Sequence, residues 1–483
     1  MTPADGPLWT APEAAAAVGG AWHGGPRDPG GVSLTGVSID TRTLAPGELF
    51  VALAGPNRDG HDFARAALEA GAAAVLASRV PEGLDAAPLI LVDDTQAALE
   101  RLGKAARARV PGLVAGVTGS VGKTGTKEML ALALGASGRV HRSAGSYNNL
   151  WGVPLSLARM PRDTRFGVFE IGMNHAGEIA PLTAQIRPHV AIVTTIEPVH
   201  LAFFATIEAI ADAKAEIFQG VEPGGAAILN SDNAQFARLE EAARTRGIER
   251  VLGFGTGEAA FARLVSAALE PGGSLVEAVI GGHPVRYRLG QPGRHLVMNS
   301  LAVLAAVEAM GADLDAAARS LAGFEVPAGR GRRLSIEVAG GSAVLLDESY
   351  NASPASMQAA FEVLATVEPA PGGRRIAVLG DMRELGALAP SLHRELAPAI
   401  ERAHIDLLFA CGPLMGHLYA ALTPGLWGLH APSAERLLPS LATALRPGDV
   451  VMVKGSLGSR MTDIVTPLTE GRAARQPQRA SPC

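Results

Sequence analysis

The stretch Gly116-Val-Thr-Gly-Ser-Val-Gly-Lys-Thr124 runs from an apolar segment into a helical one that starts near Lys123. Glycines 119 and 122 let the backbone come close to phosphate oxygens, and amide N–H groups at a helix N-terminus carry partial positive charge that favours anions. Lys123 adds a point charge, and the Thr124 hydroxyl is placed to hold Mg2+. Gly119, Ser120, Val121, Gly122, Lys123, Thr124 and Gly125 thus form a candidate cradle for a nucleoside triphosphate. The generic P-loop sets its first glycine at the position that Val117 holds here, with Gly116 one residue further back, so this loop is a variant.

What becomes of a bound phosphate chain depends on the metal ligands and the second substrate. Glu170 sits inside the apolar run Phe166-Gly-Val-Phe-Glu-Ile-Gly172, one βα unit after the P-loop helix. A buried carboxylate is costly unless paired. A hard cation shared with Thr124 would satisfy it, and so would a lysine. His200 follows the apolar run Val190-Ala-Ile-Val-Thr-Thr-Ile196, on the edge where parallel sheets bind ligands, although a lone loop histidine is more often structural or solvated. Lys214 falls in a helical pattern over 207–218, where a lysine alone reads as a solvated charge.

Three regions must position these groups. Residues 1–93 hold short apolar runs separated by Gly and Pro, with a helix over 62–69, and fit a small α/β unit with no triphosphate loop of its own. Within it Ser38, Asp40 and Arg42 alternate along a strand-like run and would project to one face, suited to a phosphate-bearing ligand or to solvent. Residues 94–326 begin with a helix over 95–109 that leads to the P-loop strand. Strands over 166–171, 190–196 and 226–229 then alternate with helices over 178–186, 207–221 and 234–246, as βαβ units of a mostly parallel sheet do. Antiparallel hairpins over 265–289 and a helix over 295–310 close this region. Residues 327–483 open with a hairpin (334–338 and 343–347), then alternate again. Strands are expected at 375–379, 406–410 and 450–453, with helices from 356, over 392–403 and over 433–445, the last made uncertain by Pro439. The tail after about residue 471, rich in Arg, Gln, Pro and Ser, reads as disordered. The expected fold class is α/β in three domains: a small N-terminal α/β domain, a central P-loop ATPase-type domain with a mostly parallel sheet, and a C-terminal Rossmann-like doubly wound domain.

The bounds agree. A chain of 483 residues, 48% of them hydrophobic, can fill about three cores. Charged residues are 18% with a net charge of −5, which leaves no basic footprint for nucleic acid. No signal-like N-terminus and no apolar stretch near the ~18 residues of a membrane span is present, so a cytoplasmic protein is expected. Two cysteines, Cys411 and Cys483, imply neither a disulfide framework nor a thiolate metal cluster.

Taken together, Gly116-x-Thr-Gly-Ser-x-Gly-Lys-Thr124, Glu170 in Glu-Ile-Gly-Met-Asn174, His200, Lys214 in Ala-Lys-Ala-Glu-Ile-Phe218 and His295-x-x-x-Asn299 resemble the ATP-dependent Mur ligases of peptidoglycan synthesis. The likeness runs from about Gly36 to Ser456. Tyr147-Asn-Asn-Leu-Trp-Gly-Val-Pro154, Asp347-Glu-Ser-Tyr-Asn-Ala-Ser-Pro354 and Leu379-Gly-Asp-Met-Arg-Glu-Leu-Gly386 resemble the branch that adds D-alanyl-D-alanine to UDP-N-acetylmuramoyl-tripeptide. The branch adding diaminopimelate or lysine typically carries Asp-Tyr-Ala-His-Thr-Pro in place of 347–354, and its diaminopimelate members an Asp-Asn-Pro-Arg motif absent here.

The resemblance implies a mechanism. A substrate carboxylate attacks the γ-phosphate of ATP to give an acyl phosphate, and the dipeptide amine then displaces phosphate through a tetrahedral intermediate. It implies one Mg2+ on Thr124 and Glu170, and a second on His200 and a carbamylated Lys214. It assigns the adenine contact to Asn299, the γ-phosphate contact to Arg332 or Arg333, and a ribose-side or metal-side carboxylate to Asp347. His295 belongs to the same helix motif as Asn299, with a less defined role. It places Ser38, Asp40, Thr41 and Arg42 on the uridine nucleotide, with Asn148, Asn149, Tyr350, Asn351 and Lys454 as further substrate contacts. A monomer is expected. Three rivals stay open on sequence: the sibling ligase adding diaminopimelate or lysine, a regulatory P-loop NTPase, and a folate-polyglutamate ligase, which shares the central domain but generally lacks the 38–42 and 47–55 pattern.

Overall fold

The computed structural model describes residues 6–471 apart from Pro56 and His200, so the expected disorder of the tail and the histidine assignment lie outside the described residues. Three large sheets organise the described residues, beside a two-stranded pairing of Trp9–Thr10 with Ser33–Leu34. The first has five strands, in the order Ala21–His23, Leu89–Leu91, Ala74–Ala77, Leu49–Val51, Val37–Ser38, with only the Ala21–His23 edge antiparallel. The expected alternation of Ser38, Asp40 and Arg42 along a strand does not form. The strand stops at Ser38 because the Asp40 carboxylate accepts from Arg42 N (3.0 Å), a local turn that competes with ladder pairing.

The central sheet has nine strands. From one edge they run His283–Leu289, Gly273–Ile280, Ala262–Glu270, Arg250–Gly255, Ala226–Asn230, Val190–Val193, Leu113–Thr118, Phe166–Glu170, Val140–Arg142, parallel except for the two hairpin pairings at the start. Alternate residues face opposite layers, as a sheet covered on both sides requires. Ala115, Val117, Val168 and Ile192 pack toward the helices Lys123–Gly135 and Arg294–Ala309, while Val114, Phe169, Ala191 and Val193 pack toward Ile179–Ile186 and Ile207–Ala215. The P-loop strand lies between the two strands that precede Glu170 and the 194–197 segment. The register Glu170↔Val117 and Val193↔Thr118 therefore delivers both to the mouth of the loop.

The third sheet has six strands, in the order Arg332–Val338, Gly341–Glu348, Val450–Lys454, Arg375–Gly380, Leu407–Cys411, Trp427–Ala431, parallel except for the opening hairpin. One element departs from expectation, and the helix made uncertain by Pro439 forms. The helix over 392–403 is broken into Ala389–Arg394 and Ala397–Arg402, since Pro398 has no N–H to continue the first. Pro439 sits inside an intact helix, Ala434–Ala444, on its exposed side, where water can satisfy the carbonyl it frees.

Thr95–Ala108 precedes the central sheet in sequence but packs Ala98, Leu99, Leu102 and Ala106 into the core of the first, together with Leu155 and Ala158 of the helix Gly152–Ala158. The first and second units thus share one core. Third and second units meet where Ala202 N donates to Glu384 O (3.0 Å). Among the described residues no helix is long and apolar enough to cross a membrane.

Candidate active site

After Thr118 the chain turns through 119–122 into the helix Lys123–Gly135. Gly119 (φ +145°) and Gly122 (φ +86°) occupy backbone conformations that side chains disfavour. A Cβ on Gly119 would come within 1.9 Å of Thr194 Oγ1, and one on Gly122 within 2.7 Å of Asn299 Nδ2. Both conformation and space therefore demand glycine. The neighbouring strand end braces the loop: Ser120 N donates to Thr195 O (2.9 Å), Thr194 Oγ1 to Val121 O (2.6 Å) and Glu197 N to Ser120 Oγ (2.9 Å). Lys123 Nζ lies over the cradle, donating to Gly119 O (2.7 Å) and Ser120 O (3.3 Å). Burial lowers its pKa, an effect the Glu170 charge opposes. Asn299 stands against Gly122 from the Arg294–Ala309 helix, and Gly125 faces Leu296 of that helix.

Glu170 is buried and fully engaged. Thr124 Oγ1 donates to its Oε2 (2.8 Å), Asn148 Nδ2 to its Oε1 (2.7 Å), and Lys127 Nζ stands 3.9 Å from Oε2. A hydroxyl and a carboxylate side by side at the lip of an anion cradle are the hard oxygen donors that Mg2+ takes, so these residues fit that ion. Lys214, on the helix Ile207–Ala215, is 1% exposed. Burial first, and then the positive charge of Lys123, hold its ammonium well below the usual lysine range, with no opposite charge among the described residues to offset them.

Arg332 and Arg333, expected at the γ-phosphate, lie on the surface of this structure, at the start of the strand Arg332–Val338, and Arg333 Nη1 reaches only Pro271 O, at 3.5 Å. Arg330 is the one turned inward: it donates to Ser146 Oγ (3.2 Å), stacks on Tyr350 (4.1 Å to the ring centre), and its charge acts on Lys123. The reason is the hinge. Asp347 accepts from Gly329 N (2.9 Å) and from the Ser349 backbone and hydroxyl, which fixes the turn before Arg330 and occupies the carboxylate expected to face ribose or metal. Lys454 is likewise engaged, donating to Glu348 Oε2 (3.1 Å) and Asn351 O (3.0 Å). His295 lies within reach of both charges of that pair, at the seam between the second and third sheets.

In the first domain Ser38 Oγ donates to Asp40 O (3.1 Å), and Arg42 grips the Asp40 carboxylate through Nε and Nη2, holding the acid below its ordinary pKa while the guanidinium remains exposed. Thr41 lies in the same turn. Asn149 Oδ1 accepts from Gly152 N (2.9 Å) and so caps the next helix. Sequence reasoning missed two residues. Lys127 lies one helical turn after Lys123 on the same face, a spacing that could have flagged it. Arg330 gave no signal beyond belonging to an arginine-rich run.

Matches to known proteins follow the same division of the chain. Residues 33–109 match the model for the Mur ligase family catalytic domain, 117–307 that for the Mur ligase middle domain, and 332–457 that for the Mur ligase glutamate ligase domain. The UDP-N-acetylmuramoyl-tripeptide--D-alanyl-D-alanine ligases of Escherichia coli and Rickettsia prowazekii are 36% and 32% identical to it. These alignments cover 91% and 90% of this chain and 94% and 95% of theirs. A crystal structure of MurF from Acinetobacter baumannii superposes with a TM-score of 0.82 at 28% identity, covering 96% of this chain and 99% of that one. MurF ligase from Thermotoga maritima in complex with ADP gives 0.75 at 27%, covering 91% and 98%. Relatives thus match this chain along nine-tenths of its sequence at 32% and 36% identity, and the chain belongs to the Mur ligase family.

Proposed function

We propose that the protein is an ATP-dependent ligase that joins D-alanyl-D-alanine to UDP-N-acetylmuramoyl-tripeptide through an acyl phosphate, a late step in making the peptidoglycan precursor. The observation that carries this reading is the pairing of Thr124 with Glu170 at the lip of the P-loop, beside a buried lysine whose charge is disfavoured. The relatives named for this reaction support the choice of substrates.

The amides of 119–124 and Lys123 hold the phosphate chain of ATP, and Arg330 closes on it from the hinge. The terminal carboxylate of the tripeptide attacks the γ-phosphorus, the bond to the β-γ bridging oxygen breaks, and ADP departs. The dipeptide amine then attacks the acyl carbon, loses a proton, and expels inorganic phosphate, which keeps the carboxylate oxygen. These residues orient the reactants and meet developing charge rather than forming covalent bonds. Thr124 and Glu170 would hold one Mg2+, and His200 with a carbamylated Lys214 a second, each neutralising phosphate charge when bound. Carbamylation needs a neutral amine: Nζ bonds to the carbon of CO2, a proton leaves, and a repelling cation becomes an anionic oxygen donor. Burial of Lys214 supports that step. The exposed Arg42 contacts a phosphate of the uridine nucleotide, with Asn148 and Tyr350 along the path to the γ-phosphate. One chain supplies every group named, so a monomer suffices.

ADP release measured with UDP-N-acetylmuramoyl-tripeptide and D-alanyl-D-alanine, singly and together, tests the reading. Sustained release only with both is expected. Release with neither would identify a free-standing NTPase instead.

A further inference from the structure

Among the described residues Lys127 is a fully buried charge with no role in the mechanism above: its side chain is wholly enclosed, one turn past Lys123 on the P-loop helix. Its Nζ donates to Ser143 O (2.8 Å) and Gly145 O (2.5 Å), with Glu128 Oε1 at 3.1 Å and Glu170 Oε2 at 3.9 Å. Burying an ammonium is expensive unless it is surrounded in this way. What it secures is the connection from Val140–Arg142 to Gly152–Ala158, and that connection meets every part of the molecule. Ser143 Oγ accepts from Glu170 N, Asn148 donates to the Glu170 carboxylate, and Ser146 accepts from Arg330 of the hinge. On its outer side Tyr147 stands near Arg42, Leu150 O accepts from Gln96, and Trp151 lies against Gly55 of the first domain.

We infer that Lys127 is a positioning residue for the muramoyl-peptide substrate. Its buried ammonium pins the 143–151 connection to the P-loop helix, so that the outer side chains stand at a fixed distance from the first-domain turn while Asn148 stays on Glu170. The P-loop amides need no such anchor, because the 194–197 segment braces them separately. Loss of the charge therefore loosens the muramoyl-peptide more than the nucleotide. This inference rests on the ligase reading of the site.

The test uses Lys127→Met, which keeps length without charge, and Lys127→Gln, which keeps a donor for one carbonyl. Steady-state ADP release is measured with each substrate varied in turn, and ADP affinity by calorimetry. The KM for UDP-N-acetylmuramoyl-tripeptide is expected to rise by about tenfold or more in Lys127→Met, by more than kcat falls, and by less in Lys127→Gln. The KM for D-alanyl-D-alanine and the Kd for ADP should stay within about threefold. An unchanged tripeptide KM, an equal loss for all three ligands, or failure of both variants to fold would overturn the inference and leave Lys127 a structural lysine. Wild-type protein that releases no ADP in response to the tripeptide would instead overturn the ligase reading itself.

Discussion

The P-loop of the central sheet and the hinge into the third sheet both bring a basic side chain to the same space, yet they are built differently. Around the P-loop the groups come from consecutive residues or from adjoining strand ends. Glu170 is beside Val117 in register, and Thr194 N donates to Thr118 O (3.0 Å), so one sheet sets their distances. At the hinge, Arg330 is held by a Ser146 hydroxyl from another domain, a Tyr350 ring and the Asp347 grip on Gly329. The first arrangement is preorganised within one rigid layer, and the second exists only while two domains face each other. A site that must admit three substrates needs both kinds, since closure has to complete it.

The comparison breaks most sharply at Lys123. Replacing it with alanine should lower kcat by about 10³-fold with the melting profile little changed, because it removes charge aimed at phosphate and no packing on which the sheet depends. A collapse in thermal stability would make the residue structural. Next, Lys214→Ala is expected to lose about 10²-fold in kcat and to regain part of it with added formate or acetate, which return carboxylate oxygens to the vacated space. Activity equal to wild type removes Lys214 from the site. On the hinge side, Arg330→Ala should cost about tenfold to 10²-fold in kcat/KM for ATP, with Arg332→Ala and Arg333→Ala within about twofold. The reverse ranking would reinstate the exposed pair. The smallest effect is on stability: Asp347→Ala leaves Gly329 N–H and the Ser349 donors without their acceptor and should cost about 2 kcal/mol in denaturant unfolding. No measurable change would mean that the hinge turn holds itself.

The same contrast separates what could be read in advance. Most of the strands and helices follow from apolar periodicity, though not Val140–Arg142, Arg250–Gly255 or Trp427–Ala431, and the cradle follows from the glycines before Lys123, because these are short-range patterns. Glu170 drew notice as a charge within an apolar strand, and its partner Thr124 was named with it. Arg330 was not separable from Arg332 and Arg333, since only the Asp347 clamp and the Tyr350 face decide which arginine turns inward. Lys127 looked like any helical lysine until the Ser143 and Gly145 carbonyls surrounded it. Alternation alone puts the first-domain residues on a strand, and the Asx turn that ends it lies outside that pattern. Thr95–Ala108 was assigned by its position in sequence, whereas its apolar face belongs to the first sheet.

The most direct measurement follows oxygen. With both oxygens of the acceptor carboxylate of UDP-N-acetylmuramoyl-tripeptide labelled as 18O, turnover with ATP and D-alanyl-D-alanine should release inorganic phosphate carrying one labelled atom, the one that bridged carbon and phosphorus in the acyl phosphate. Phosphate free of label while the dipeptide is still joined would contradict the account, because the carboxylate would then have been activated at some atom other than the γ-phosphorus.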